Sequence, residues 1–465
     1  MHRVRGLAGR ALRRRGPPGH AAAPARSAVN PPASGPAPLA HGVGSSSDLP
    51  LPLDLVLQAG AATVVLSFLI AAVLWTRPRL GGGTVRAVRT AGWLPVLRLV
   101  VLLLAVYLVG DALAGPGEDE NPAARALFVW LWVGIIPVSV IFGPVWRAVN
   151  PLRTLFRLLR LPRAGLRPRP ASGAWPAAGW LLAFVWFELV APHRTEPAVI
   201  GGCLLGYGIV QLGMAAVRGE EWFGRGDCFE VYSELAGRLS PVRWRRPLTG
   251  LAAPLPVTRG LAAFVAVWWG STIFDSASGS PVWAGFVQRA GHGAVLATGA
   301  LLLVCSGVLL AVRRIAGKWD VTASLIPIAV GYTLAHYLSL LIVEGPRGFL
   351  QLIHQWGMGG GPAGNVAPIP GVIAGAQVAL ILAGHVLGVI VAHDAAQVAG
   401  SVAPVAVGSG APAGAPGGGS VVSGGPVAAG AVAGRAALGT LADEFPLVLF
   451  MIGCTWAGLF LLFVR

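Results

Sequence analysis

Ten stretches of about 20 mostly apolar residues divide this chain, and a helix of about that length crosses the hydrocarbon core of a bilayer. They cover residues 54–75, 94–114, 126–143, 175–192, 196–216, 260–276, 294–313, 321–343, 371–393 and 445–464. Charged residues make up only 12% of the chain, whereas a soluble domain carries about 25% to cover its surface. The sequence therefore predicts an all-α fold, a polytopic transmembrane helical bundle of about ten spans in contact with the lipid bilayer.

The charge of the loops predicts the orientation of the bundle. Residues 76–93 hold four Arg and no acid, and residues 144–174 hold seven Arg and no acid. Because basic loops stay in the cytoplasm, ten spans place both termini outside the inner (plasma) membrane. The net charge of +16 comes from these Arg clusters, so we expect no nucleic-acid partner.

Composition divides the chain into four regions. Residues 1–50 are rich in Arg, Pro, Ala and Gly and predict a disordered tail. Residues 51–397 form the membrane bundle with spans one to nine. Residues 398–438 have almost no charge and no large apolar side chain outside Val and Leu, which predicts a low-complexity linker. Residues 439–465 contain the final span.

Two loops have the character of interfacial segments. In 144–174, apolar residues alternate with Arg at near-helical spacing, which is typical of a basic amphipathic helix on the inner leaflet. The segment 217–259 carries both signs of charge, with five acids among its Arg residues. We expect it to pack against the helix ends or to bind a protein partner.

Ionisable side chains inside the spans mark the candidate site, because a charge at bilayer depth is costly. His336 and His385 each lie near the middle of a span, and they would reach similar depth if the eighth and ninth spans pack together. With His393 they form a candidate set of ligands for a divalent transition metal. The alternative for His385 is a neutral imidazole that forms a hydrogen bond across a helix contact.

Further polar residues are candidates for a proton relay or for structural hydrogen bonds. Glu188, Gln377 and Asp394 belong to this group. Gly384 and Gly388 are spaced by four, so this face of the ninth span predicts a close contact with another helix.

Six stretches carry a resemblance to a known family. They are 40-AHGVGSSSDLPLP-52, 142-FGPVWRAVNP-151, 225-RGDCFEVY-232, 270-GSTIFD-275, 335-AHYLSLL-341 and 384-GHVLGVIVAHD-394. In these the chain resembles a group of actinobacterial multi-span membrane proteins known as fenitrothion hydrolases. The resemblance implies hydrolysis of organophosphate esters, with Asp275 and His385 as catalytic residues and His336 and His393 beside them. The glycine-rich stretch 357–365 and the insertion 398–438 depart from that pattern.

Three functions follow from these observations. The first is the handling of a small solute or metal ion at a histidine-lined site within the membrane. The second is the membrane-embedded hydrolase that the resemblance implies. The third is a non-catalytic scaffold that docks a partner through 217–259. The sequence contains no G-x-S-x-G, Walker A or H-E-x-x-H motif that would favour a familiar soluble enzyme.

Overall fold

A computed structural model describes residues 49, 51–75, 77–86, 92–118, 120–167, 173–254, 259–315, 321–359, 369–402 and 426–463. Within these ranges the regular secondary structure is helical, without a β-strand. A single antiparallel β-bridge pairs Val85 with Trp244. The prediction of an all-α fold is confirmed.

The helices follow one another with short connections. In chain order they are α1 (Leu53–Leu74), α2 (Leu94–Ala114), α3 (Ala123–Phe142), α4 (Val145–Val149), α5 (Pro151–Leu158), α6 (Trp175–Leu189), α7 (Pro197–Arg218), α8 (Cys228–Ala236), α9 (Leu261–Ser278), α10 (Pro281–Ala290), α11 (Gly293–Ile315), α12 (Thr322–His336), α13 (Leu338–Gln355), α14 (Pro370–Val402) and α15 (Pro426–Phe463). Shorter turns lie at Glu220–Trp222, Phe223–Gly226, Gly237–Leu239 and Thr249–Ala252.

Seven of the described helices are long and apolar enough to cross a membrane, and the bent pair α12–α13 makes eight if it counts as one span. The protein is thus a multi-pass membrane protein. The count falls below the predicted ten because α6 has only 15 residues and α9 carries several polar residues at its end. Since α9 is buried along most of its length, it is shielded from lipid by its neighbours.

The eighth predicted span is broken. α12 ends at His336 and α13 begins at Leu338, with a bend of 61° between them. Tyr337 lies at the break, at φ −97° and ψ 9°. A break in a membrane helix exposes backbone polar groups, which must find partners inside the protein. Here the Gln377 side chain donates to the carbonyl of Ala335 at 2.9 Å.

Helices α12 and α14 pack at backbone distance. A Cβ added to Gly384 would lie 2.6 Å from the carbonyl oxygen of Pro327, and one added to Gly388 would lie 2.8 Å from that of Ser324. On the facing helix, a Cβ added to Gly331 would lie 2.5 Å from the carbonyl oxygen of Leu380. The predicted close contact of the ninth span is confirmed, and its partner is the first half of the broken eighth span.

Helices extend into the predicted linker from both sides. α14 continues to Val402 and α15 begins at Pro426, so helix occupies both ends of the range 398–438. Residues 403–425 lie outside the described part of the chain, and so does the predicted tail 1–50 apart from Leu49.

The two predicted interfacial segments differ in burial. The segment 144–174 forms two short helices, α4 and α5; Arg153 is buried, whereas Leu158, Leu159 and Leu166 are more than half exposed. In 217–259, helix α8 is buried at eight of its nine positions. These buried residues form part of the protein's own core, so they present no free surface to a partner.

Candidate functional site

A buried contact between a histidine and an aspartate joins α9 to α12. His336 Nε2 lies 2.8 Å from Asp275 Oδ2, with His336 fully buried and Asp275 only 6% exposed. Tyr337, at the helix break, donates its hydroxyl to the same carboxylate oxygen at 3.0 Å. The break therefore places two consecutive side chains of one span on a single carboxylate of another.

Hydroxyl groups extend this pair on the other side of the imidazole. His336 Nδ1 lies 3.0 Å from Ser276 Oγ, and Ser276 Oγ lies 2.9 Å from the Tyr332 hydroxyl. Since each hydroxyl can donate and accept, the hydrogen bonds form an unbroken chain from Asp275 through His336 and Ser276 to Tyr332. We call these four side chains and Tyr337 the polar centre.

The packing of α9 against α12 positions the polar centre. Trp268 Nε1 donates to Thr333 Oγ1 at 2.9 Å, about one turn from His336. Gly270 on the same helix allows α11 to approach, since a Cβ there would lie 2.9 Å from the Cα of Cys305. Four aromatic side chains of α9 are buried among small residues, and Asp275 lies on the same buried helix.

His385 lies apart from the polar centre. Its Nδ1 lies 2.8 Å from the carbonyl oxygen of Ile381 on its own helix, and its Nε2 has no hydrogen-bond partner among the described residues. Gly384 packs against Gly331, five residues before His336. Because α14 runs antiparallel to α12, His385 is displaced from His336 by about six residues, or roughly 9 Å along the helix axis. The expectation of similar depth is not met, and the predicted bond across a helix contact is replaced by a bond within the helix.

His393 and Asp394 hold the chain that follows α1. His393 Nε2 lies 3.1 Å from the carbonyl oxygen of Trp75, and Asp394 Oδ1 accepts from Trp75 Nε1 at 2.8 Å. The same carboxylate oxygen accepts from the backbone N–H of Arg79 at 2.6 Å. These contacts connect α14, about two turns before its end at Val402, to the loop after α1. They do not reach the polar centre.

The predicted metal ligands are not brought together. Within the described ranges, no group of three or more His, Cys, Asp and Glu side chains could hold a metal ion. His336 is engaged by Asp275 and Ser276, whereas His385 and His393 bond to backbone carbonyls. The geometry thus gives no support to a divalent metal shared by the three histidines.

Glu188 lies near the end of α6 and is 2% exposed. Its carboxylate interacts electrostatically with that of Asp275. Neither of its carboxylate oxygens has a hydrogen-bond partner among the described residues.

A second buried network joins the stretches 142–151 and 225–232. Asp227 accepts hydrogen bonds from Asn150 Nδ2 at 2.7 Å and from the Tyr207 hydroxyl at 2.8 Å. Arg153 forms two bonds of 2.7 Å with Glu230, one from Nε and one from a terminal nitrogen. Asp227 and Asn150 also cap the first turns of α8 and α5, respectively.

The second network contains one perturbed carboxyl group. Burial raises the pKa of Asp227 to about 6, and the nearby Glu230 carboxylate adds to the rise. The hydrogen bonds from Tyr207, Trp146 and Asn150 act in the opposite direction. The network therefore responds to pH although its members pack as core residues.

Sequence reasoning missed several members of both networks. Ser276 and Tyr337 directly follow Asp275 and His336, so adjacency was an available signal. Asp227 lies in one of the stretches that carry the family resemblance and Arg153 lies two residues after another, although their charge suggested exposed loops. Their partners come from distant parts of the chain, which local patterns do not reveal.

No family model, no curated protein and no solved structure matches this chain.

Proposed function

We propose that this multi-pass membrane protein handles a small solute by means of proton transfer at the polar centre. The observation that carries the proposal is the buried pair of His336 and Asp275, joined at 2.8 Å between two helices of the bundle. Removing two charges from water costs several kcal/mol per ion. Ionisable groups retained inside a membrane bundle are therefore associated with ion pathways and proton relays.

The broken span supports this proposal. In many transporters a discontinuous helix places backbone ends and polar side chains at the solute site, near the middle of the membrane. Here the break between α12 and α13 falls at His336 and Tyr337, both of which bond to Asp275. A change in the charge of the pair would alter the contacts that hold the two half-helices at their angle of 61°.

The chain of hydrogen bonds supplies a path for the proton. A proton that leaves His336 Nδ1 passes to Ser276 and then to the Tyr332 hydroxyl, as each group donates one proton and accepts another. Histidine suits this role because its ordinary pKa lies near physiological pH.

The proposal is tested by proton movement into proteoliposomes. A potassium gradient with valinomycin sets the membrane potential, and an internal dye reports pH. We expect wild-type vesicles to acidify, and His336→Gln and Asp275→Asn to reduce the rate by about tenfold or more, in line with loss of an acid–base group. His354→Gln, at an exposed position on α13, is the matched control. Wild-type vesicles that behave like protein-free vesicles would refute the proposal.

A second candidate is ester hydrolysis, and the order Ser276–His336–Asp275 favours it. The two hydrogen bonds of 3.0 and 2.8 Å arrange a hydroxyl, an imidazole and a carboxylate as a nucleophile, a base and an orienting group. Ser276 Oγ would attack the ester phosphorus while His336 accepts its proton. The leaving alcohol would take that proton, and water would then hydrolyse the phosphoryl-serine.

An apolar groove lies next to this arrangement. It has a volume of about 230 Å³ and is lined by Tyr332 of the polar centre together with Trp269 and Phe450. A lipophilic ester dissolved in the bilayer fits such a groove. Turnover of an aryl phosphotriester by the purified protein, lost in Ser276→Ala, would establish this function. Absence of turnover would refute ester hydrolysis, and the proton-transfer proposal would remain.

A further inference from the structure

Glu188 is an unpaired buried acid. Both of its carboxylate oxygens are enclosed and without a hydrogen-bond partner in the described part of the chain. An unpaired ionised carboxylate inside a protein is so costly that it takes up a proton or pairs with a cation. Each such group in a native structure calls for a physical explanation.

Side chains of two neighbouring helices pack around the end of α6 that carries Glu188. The ring of Trp132 on α3 lies 5.1 Å from that of Phe184, one turn before Glu188, and stacks on the ring of Tyr232 with centroids 4.7 Å apart. The Tyr232 hydroxyl on α8 is fully buried and interacts electrostatically with Glu188. Helices α3 and α8 thus place two polar aromatic side chains in the interior near the Glu188 carboxylate.

The backbone of α3 is widened where it reaches this interior. Residues 126–133 form a π-helix, and the N–H of Gly134 bonds to the carbonyl of Val129, five residues earlier. Widened turns of this kind occur frequently at functional sites, because the extra residue per turn displaces a side chain from its regular position. Trp132 is within the widened stretch.

No cationic side chain contacts the Glu188 carboxylate directly in the described part of the chain. Glu188 interacts electrostatically with Asp275 and with Arg194, and neither forms a hydrogen bond with it. A cation bound at the carboxylate itself would supply the close partner that the described side chains do not.

We propose that Glu188 and Tyr232, next to Asp275, form a binding site for a monovalent cation, either a proton or Na⁺. The groups that face the cation offer oxygen atoms, which suit a hard ion without a preference for nitrogen or sulfur. The inference rests on the proposed function, because it supplies the ion whose movement the polar centre would couple to the solute. It identifies Glu188, rather than the histidines, as the cation-binding residue.

The first measurement is the thermal stability of the wild-type protein in Na⁺ and in choline, at constant ionic strength and over a series of pH values. If Na⁺ is the ligand, it raises the Tm. Because a proton would compete for the same carboxylate, the Na⁺ concentration at half effect should rise about tenfold per unit fall in pH. Glu188→Gln should abolish the Na⁺ effect, and Glu196→Gln, at an exposed carboxylate, should preserve it.

The second measurement identifies the proton. If Glu188 holds a proton, the infrared spectrum of the protein in bilayers contains a protonated carboxyl band that disappears in Glu188→Gln and remains in Glu196→Gln. A wild-type protein without a Na⁺ effect, whose carboxyl bands are the same in both variants, would overturn the proposal. The wild-type titration stays informative even if Glu188→Gln does not fold.

The two proposals fail separately. If Glu188 binds no cation while His336→Gln still blocks proton uptake by proteoliposomes, the cation site is wrong and proton transfer at the polar centre remains. If proton uptake is absent but Na⁺ stabilises the wild-type protein through Glu188, proton transfer at the polar centre is wrong and the cation site remains.

Discussion

Asp275 and His336 are 61 residues apart in the chain, and their side chains meet at 2.8 Å with almost no exposure to solvent. The pair ties a buried helix, α9, to the end of a half-helix, α12. Its removal should affect both the stability of the bundle and the chemistry within it.

A double-mutant cycle should detect the energetic coupling of this pair. Breaking a buried ion pair by removing one partner costs about 3–5 kcal/mol, so Asp275→Ala and His336→Ala should each lower the free energy of unfolding in detergent by about that amount. The double variant should lose at least 1 kcal/mol less than the sum. Asp54→Ala, at an exposed helix start, is the control. Strict additivity would show that the two side chains do not interact.

The contact between α12 and α14 should be intolerant of any side chain at Gly384. A methyl group there meets the backbone oxygen of Pro327 at 2.6 Å, and backbone cannot move aside cheaply. Gly384→Ala should therefore destabilise the protein by about 1–3 kcal/mol. Gly375→Ala, on the same helix with open space around it, should be neutral or stabilising, because Ala favours helix by about 0.5–1 kcal/mol. Equal Tm values for the two variants would contradict the close packing.

Asp227 should make the stability depend on pH. Its pKa is raised to about 6 in the folded protein, from an ordinary value of 3.8. A raised carboxyl pKa means that the folded state holds the proton more tightly than the unfolded state. The resulting stabilisation is complete below the ordinary value and is lost as pH rises through about 6. It amounts to roughly 3 kcal/mol.

The measurement compares unfolding of the wild type and Asp227→Asn across this pH range. The difference in free energy of unfolding between wild type and Asp227→Asn should change between about pH 4 and pH 6 and stay constant above about pH 6. The other groups that face Asp227 are Glu230, Tyr207, Trp146 and Asn150. Profiles that remain parallel throughout would assign the pH dependence to a different group.

Arg153 should be more important for stability than its place in a basic loop suggests. Its side chain is 6% exposed and forms two bonds with Glu230. Arg153→Met leaves Glu230 buried without its partner, so we expect a loss of about 3–5 kcal/mol. Arg163→Met, whose guanidinium is 82% exposed and 3.8 Å from Glu220, should change stability by less than about 1 kcal/mol. Similar losses would mean that the ion pair with Glu230 contributes little.

The sequence predicts the helical class and one helix contact because these depend on local patterns. Apolar stretches of sufficient length must be helical in lipid, and the spacing of Gly384 and Gly388 marks a close contact. The break after His336 was not predicted, since 335-AHYLSLL-341 contains neither Gly nor Pro. The break depends instead on the bonds of His336 and Tyr337 to Asp275 and of Gln377 to Ala335.

The candidate site was only partly predictable for the same reason. His336 and Asp275 were recognised as costly residues inside spans, but nothing local pairs them with each other rather than with His385. The pairing is decided by the register of three helices. Asp227 and Arg153 are buried against sequence expectation because each finds a polar partner from another segment, which offsets the cost of burial.

The central claim is that His336, held by Asp275, takes up and releases a proton, and nitrogen NMR of histidine-labelled protein in bilayers tests it most directly. His336 is assigned by the loss of its signals in His336→Gln. The claim predicts that its ring nitrogens change from neutral to charged as pH is lowered, and that Asp275→Asn alters this change. A His336 imidazole that keeps one neutral form at every pH at which the protein remains folded would contradict the claim.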